Sequence, residues 1–323
     1  MCRLYGEPEV VEVEEVDAPH PAAGQARIRV EAAAVNFPDV LFIANRYQLS
    51  VDPPFIPGSE FCGLVLEVAP DVTGPAVGQR VFGSTTVGAF AEEVAVPATS
   101  LTVVPEGVEA RHAAAFGVAH RTAYHVLRSV AAVKPGEDLV VLGAGGGVGL
   151  AAVQLGRHMG ARVTAVASSD EKLAVARAEG AVNLINHRTA DLRAALKGLL
   201  PAGADVVVDP VGGDLSEPAL RALHWGGRFV TVGYAAGEIP RIPLNLVLLK
   251  GVHILGFEFR GFTTHAAAEM ARNEQELMGL LARHEVVPHI GATFPLEEAA
   301  AALRYVADGR AVGKVVLEVR PSQ

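Results

Sequence analysis

The stretch Leu139-Val140-Val141-Leu142-Gly143-Ala144-Gly145-Gly146-Gly147-Val148-Gly149-Leu150 decides the fold. Four apolar residues of a buried strand run into a turn of small residues and then directly into an Ala-rich helix. A turn this tight excludes bulky side chains, and the helix behind it begins with N–H groups that no carbonyl of its own can pair. Such a strand–turn–helix is a cradle for a pyrophosphate, which makes Gly143, Ala144, Gly145, Gly146, Gly147 and Val148 candidate cofactor-binding positions. The strict G-x-G-x-x-G spacing is not met. Ala144, Gly146 and Gly149 hold its three places, with Ala in the first. Because glycine loops also serve as plain turns, the reading needs its context. A second strand, Arg162–Ala167, follows at the distance that a βαβ unit requires.

Outward from this turn the same rhythm continues. Short apolar strands are expected at Asp138–Leu142, Arg162–Ala167, Val182–Ile185, Ala204–Asp209, Gly227–Val232 and Val252–Phe257, with helices between them, for instance Val148–Met159 and Asp170–Glu179. Strands that alternate with helices of about ten residues imply a parallel sheet covered on both faces. Residues before about 115 read differently. Alternating or β-branched runs (Val10–Val16, Ala26–Val35, Cys62–Val68, Gln79–Val81, Ala91–Val96) are separated by Pro/Gly turns, as in a compact, barrel-like β module. The opening is abrupt, with Met1 leading almost directly into charged residues, as though a first strand were cut short. After residue 260, two helices (Thr264–Arg283 and Leu296–Asp308) and a strand (Lys314–Val319) are expected to return to the first module. The fold class is therefore α/β: a doubly wound Rossmann sheet over residues 119–258, and a mainly β domain over residues 1–118 and 259–323.

Cofactor choice is read where the second strand ends. A carboxylate there accepts the ribose hydroxyls of NAD, whereas a small residue with cations nearby accommodates a 2′-phosphate. Here the run is Ser168-Ser169-Asp170-Glu171-Lys172. Ser168 is small, Lys172 sits one helical turn on, and His187 and Arg188 after the third strand could reach the same phosphate. Asp170 is read as the N-cap of the following helix rather than as a ribose ligand. The expected cofactor is NADP(H).

Composition excludes several classes. A net charge of −9 opposes nucleic-acid binding, which needs a basic face to displace counterions. Two cysteines, Cys2 and Cys62, cannot build a disulfide framework, and Cys62 reads as a small core residue. No secretory signal or membrane span is legible, and a cytoplasmic location is expected.

With these residues on the page, the chain resembles the zinc-independent quinone oxidoreductases (zeta-crystallin-like) of the medium-chain dehydrogenase/reductase superfamily. The matching blocks are Asn36-Phe-Pro-Asp39, Pro57-Gly-Ser-Glu-Phe-Cys-Gly63, Thr122-Ala-Tyr and the glycine turn, followed by Leu184-Ile-Asn-His-Arg188, Gly227-Gly-Arg-Phe-Val-Thr-Val-Gly233 and Gly309-Arg-Ala-Val-Gly-Lys-Val-Val316. They come in order and span nearly the whole chain. The resemblance implies a GroES-like catalytic domain beside the Rossmann domain, with the cofactor in the cleft between. Zinc-dependent relatives carry Gly-His-Glu where this chain has Gly58-Ser59-Glu60, and eleven histidines with two cysteines form no closely spaced ligand set. No metal is expected.

The resemblance also implies roles. Asn36, Thr122 and Lys314 line the nicotinamide end of the cleft, while Val211, Gly233, Tyr234 and Phe257 face the cofactor from the later strand ends. Tyr47 stands where similar polyketide enoyl-reductase domains carry a tyrosine linked to protonation; the alternatives are that it only packs, or that water is the acid. Glu60 either orders the loop near Asn36 or lies at the surface. Without a metal, nothing stabilises the alkoxide of an alcohol substrate. Hydride addition to a conjugated acceptor needs less help, because conjugation spreads the developing charge. The expected activity is NADPH-dependent reduction of a quinone or α,β-unsaturated carbonyl compound. The alternatives are an enoyl thioester (acyl-CoA) reductase, or a cofactor-binding protein with a structural or RNA-binding role. The apolar run Val252–Phe257 is expected as an uncovered sheet edge, and relatives use that edge to form a two-fold homodimer.

Overall fold

In the computed structural model, which describes residues 1–319, Gln25–Val35 forms the longest strand (β1). Its alternation of half-exposed and buried side chains puts Ala26, Ile28 and Val30 into a core that also holds Phe42, Phe61 and Leu317. A short helix, α1 (Phe37–Ile43), follows directly, and then the strands β2 (Glu60–Val68), β3 (Arg80–Ser84), β4 (Glu93–Pro97) and β5 (Leu101–Val103). Helix α2 (Ala110–Phe116) packs its Ala113–Phe116 face on β1 and β2.

The second unit opens with a helix ahead of its first strand. The chain runs through α3 (Ala119–His125) into β6 (Asp138–Leu142), α4 (Gly147–His158), β7 (Arg162–Ala167), α5 (Asp170–Ala178), β8 (Asn183–Asn186), α6 (Leu192–Leu199), β9 (Ala204–Asp209), α7 (Ser216–Arg221), β10 (Leu223–Thr231), α8 (Leu244–Lys250) and β11 (His253–Gly256). These six strands pair in parallel in the order β11-β10-β9-β6-β7-β8. The sheet thus runs outward both ways from β6, so that β7 and β8 lie to one side and β9, β10 and β11 to the other. This is the doubly wound order, with its switch point beside β6, where the glycine turn lies. The central strands β6, β7 and β9 are largely apolar and buried, as strands covered by helices on both faces are.

Beyond β11 come α9 (Phe259–His265), α10 (Ala267–Ala282), β12 (Ile290–Pro295), α11 (Ala299–Ala307) and β13 (Lys314–Glu318). The last two strands complete a seven-stranded sheet of order β12-β13-β1-β2-β3-β5, with β4 also paired to β1. Its pairings are antiparallel except for β12 with β13. Two units result, Met1–Val118 with the segment from Val287 onward, and Ala119–Val286.

Three expectations need correction. Residues 259–286 fall in the second unit, because α10 packs on α3: Tyr124 Oη donates to Glu276 at 2.7 Å, and the fully buried Asn273 hydrogen-bonds His125 at 3.0 Å. The single helix expected over Thr264–Arg283 is broken at Ala266, whose φ of −130° is not helical. Val10–Val16 is no strand. Val11 makes one isolated bridge to Cys2, and the alternating valines beyond it, Val13 and Val16, are exposed with no neighbouring strand to pair with.

Candidate functional site

In the first unit, β1 ends at Val35 and α1 begins at Phe37, so Asn36 sits at a strand-to-helix junction. Its extended backbone lets its N–H donate to the Asp39 carboxylate at 2.7 Å, closing the first turn of α1. Its side-chain amide is saturated. Nδ2 donates to Glu60 Oε1 at 2.9 Å and to Ser59 Oγ at 3.3 Å, while Oδ1 accepts from Lys314 Nζ at 2.5 Å. Lys314, the first residue of β13, also pairs with Glu60 Oε1 at 2.7 Å. The second Glu60 oxygen accepts the backbone N–H of Val118 at 2.7 Å. Glu60 and Lys314 are 0% and 4% exposed, so this is a buried ion pair, to which Asn36 and the Val118 N–H add hydrogen bonds. Glu60 is therefore an organiser of the loop at Asn36, and the surface alternative does not hold. Tyr47 packs with its ring tilted against Phe42, centroids 4.7 Å apart, at the edge of the same unit's core. Cys62 is buried within β2, and burial pushes its thiol up to about 12, so it is an inert core residue at neutral pH.

In the second unit, the turn from β6 to α4 divides its roles among glycines. Gly143 adopts φ +60°, a left-handed conformation that favours glycine. Gly149 meets the backbone of Gly143 so closely that a Cβ would collide with its carbonyl oxygen, which brings helix and strand together. Gly146 is different: a Cβ there would make only ordinary contact, 3.5 Å from the Gly143 oxygen, so the helix start has room for one. Among the described residues, no side chain caps α4 at its N-terminus. Ala144 is fully buried and its N–H donates to Val166 on β7. Val211, after β9, lies against Gly143.

Beside the turn lies a group of basic side chains. The Lys172 stem packs against Gly145, 2.5 Å from where a Cβ would stand. Burial lowers the Lys172 ammonium's pKa, and Arg188 lowers it further. Burial likewise lowers His187, with Arg188 and Lys172 adding to the effect. Lys172, His187 and Arg188 are thus brought together, and the Arg188 charge disfavours protonation of the other two. Ser168 follows the end of β7. The N-cap of α5 is Ser169, whose Oγ accepts from Lys172 N at 3.3 Å, and not Asp170, the residue expected there. Asp170 stands one place inside the helix and accepts from Asn186 Nδ2 at 2.8 Å. The shift by one residue follows from the serine pair, since either serine can cap and the extended one is Ser169.

The remaining predicted positions are scattered over the second unit. Thr122 is half-buried on α3, and Gly233 and Tyr234 follow β10. Phe257 is buried in a ring cluster with His125, Phe259 and Phe262. One organising residue is missed by sequence reasoning. Asp209, fully buried at the end of β9, accepts from Val211 N and Gly212 N at 2.8 Å and from Ser216 Oγ at 2.5 Å. It shapes the loop that carries Val211, and the run Asp209-Pro-Val-Gly-Gly213 is its only sequence signal. Among the described residues, no group of three or more His, Cys, Asp and Glu side chains is arranged to hold a metal ion.

Comparison with known proteins matches both units. Residues 22–106 fit the alcohol dehydrogenase GroES-like domain, and residues 147–274 the zinc-binding dehydrogenase family. The chain is 36% identical over 310 residues to quinone oxidoreductase-like protein 2 of Bos taurus, covering 95% of this chain and 89% of that protein. It is 33% identical over 313 residues to the 2-haloacrylate reductase of a Burkholderia species, with 94% and 93% covered. The quinone oxidoreductase of Thermus thermophilus, solved alone and with NADPH, superposes with a TM-score of 0.82 at 35% identity over 98% of both chains.

Proposed function

Since the chain belongs to the zinc-independent quinone oxidoreductases of the medium-chain dehydrogenase/reductase superfamily, we propose that it reduces a quinone or an α,β-unsaturated carbonyl compound with NADPH. The observation that carries this reading is the trio Lys172, His187 and Arg188 beside the glycine turn. Two cations with a histidine that charges most readily beside an anion are stabilised by a group of high negative charge, and a ribose 2′-phosphate is such a group. The room at Gly146 and the uncapped start of α4 fit the pyrophosphate of the same molecule.

The bound cofactor supplies the hydride. The chain's own residues position and polarise. Val211 and the turn hold the dinucleotide, and Asn36, Thr122 and Lys314 are assigned to its reacting end. There the ion pair of Lys314 with Glu60 fixes both ends of the Asn36 amide, so the polar surface beside the reaction is preorganised before the acceptor arrives. Hydride addition to a conjugated acceptor leaves an oxyanion, and a fixed ammonium nearby favours it. The names of the relatives point the same way, a quinone oxidoreductase-like protein and a 2-haloacrylate reductase, whose named substrate is an electron-poor alkene.

We assign the protein to the cytoplasm, consistent with two buried free thiols, and to a homodimer built on the edge strand β11. The test is NADPH consumption followed across a panel of quinones, enones and enoyl thioesters, before and after exhaustive chelation. Acceptor-dependent oxidation that survives chelation is expected. Turnover lost on chelation and restored by zinc would overturn the reading, and a marked preference for thioesters would replace its substrate class.

A further inference from the structure

Asp39 is the one carboxyl of the first unit's polar cluster whose charge has no counterpart. It is 1% exposed at the first turn of α1, and its Oδ2 is engaged by the Asn36 N–H. The other oxygen, Oδ1, is buried with no hydrogen-bond partner among the described residues. The ammonium of Lys314 is already committed, at 2.7 Å, to Glu60. Two carboxylates against one ammonium leave an excess negative charge in a buried site, and a proton on the carboxyl with the unengaged oxygen removes it. Oδ1 is where that proton would sit.

We propose that Asp39 is a positioning residue whose carboxyl proton sets the net charge of the Asn36–Glu60–Lys314 cluster and thereby tunes the reduction that the cluster supports. The inference rests on the reductase reading only in its last clause. Burial pushes the Asp39 carboxyl up to about 7, opposed by the Asn36 N–H, the Ser59 hydroxyl and the Lys314 cation, and assisted by Glu60. Among the described residues, the charged groups that face it are Lys314 and Glu60. On the other elements packed against α1, namely α11 and the turn at Pro8–Val10, Arg304 is paired at the surface with Glu7 and Glu9. With Asp39 protonated the cluster is neutral, and an oxyanion forming beside Asn36 is opposed by nothing. With Asp39 ionised the cluster is negative, and the same oxyanion is disfavoured. The rate should therefore fall as pH rises through the neutral range.

Two measurements test this, one of which needs no turnover. Infrared difference spectra of the cofactor-free protein between about pH 5 and about pH 9 should show the carbonyl band of a protonated carboxylic acid disappearing near neutrality, above the ordinary Asp range of about 3.9. The band should be absent in Asp39→Asn. In Glu60→Gln, where Lys314 is left to Asp39 alone, it should vanish at lower pH. In parallel, kcat/KM of the wild type should decline through the same interval, and the profile of Asp39→Asn should be flat there, whatever its absolute rate. A missing band, or a band unmoved by either substitution, overturns the inference. So does a variant profile that keeps the wild-type inflection. If instead no acceptor is reduced while the band titrates as described, the reductase reading fails and the protonation of Asp39 stands.

Discussion

Lys172 carries the sharpest expectation at the level of one residue. Its stem lies on Gly145 and its charge is disfavoured by burial and by Arg188, so a phosphate should relieve it. A charge-assisted contact to phosphate contributes about 1.5–3 kcal/mol, near the low end at a partly exposed site. Lys172→Ala should therefore lose roughly tenfold in kcat/KM with NADPH and little with NADH. Equal losses would mean that the lysine serves the helix, and a wild type that prefers NADH would mean that Asp170 reads the ribose. His187 refines the test. Burial and Arg188 hold its pKa below 6.5, and bound phosphate raises it. Binding of NADPH should take up protons, and its affinity should begin to decline with rising pH below 6.5, earlier than an unperturbed histidine near pH 7 suggests. Calorimetry of NADPH and NADH in buffers of different ionisation heat checks this, with no proton uptake for NADH. Asp39 predicts a stability effect of its own. Its pKa is raised from 3.8 to about 7, so the native state favours the protonated form. Stability is fully present below pH 3.8 and is lost as pH rises through about 7. The loss amounts to at most about 4 kcal/mol, three units at roughly 1.4 kcal/mol each. Thermal unfolding across this interval should show a decline in the wild type that Asp39→Asn lacks; parallel curves would contradict it.

Between strand β6 and helix α4 the glycines separate fold from binding. At Gly146 a Cβ would make only ordinary contact, whereas at Gly149 it would collide with the backbone of Gly143. Gly146→Val should leave the melting temperature nearly unchanged and abolish NADPH binding, whereas Gly149→Val should destabilise the unit outright, because the obstacle is rigid backbone. Normal NADPH titration of Gly146→Val would show that the turn is not the phosphate cradle. The same element shows what a sequence can carry. Asp138–Leu142, Arg162–Ala167 and Ala204–Asp209 are legible to the residue, because buried parallel strands are runs dominated by apolar, β-branched residues. Val10–Val16 has the alternation of a strand and is not one, since alternation does not say whether a neighbouring strand exists. The break at Ala266 has no glycine or proline to signal it. In the site, the spacing of Ser168 and Lys172 along one helix start is legible, as is their approach to His187 through adjacent parallel strands. The Asn36–Glu60–Lys314 cluster joins three distant stretches of chain, so only resemblance puts Asn36 and Lys314 in one place. Asp39 enters the sequence reading only as part of a motif, and its unpaired oxygen is a property of packing alone.

At the scale of the whole molecule, the parallel sheet ends at β11 with a strand whose outer side is bare. His253 and Ile254 on that strand are exposed, and so, nearby in sequence, are Leu244, Leu248 and Leu249 of α8. Trp225, 74% exposed, lies over Gly251, where α8 turns into the strand. A free strand edge flanked by large apolar side chains invites pairing with another chain and is rarely left open in a stable monomer. A second copy presents the same edge in reverse, so a two-fold axis would join the two sheets in antiparallel register and bury these side chains against their equivalents. Sedimentation at micromolar concentration should therefore give a dimer. Ile254→Lys places a charge in the middle of the edge and should shift the protein to a monomer, and Leu248→Glu on the adjoining helix should act in the same direction. Neither residue approaches the glycine turn in sequence, and each unit has its own core, so the monomeric variants should still bind NADPH with about wild-type affinity. A wild-type monomer, or a dimer that both substitutions leave intact, would mean that the edge is covered in some other way.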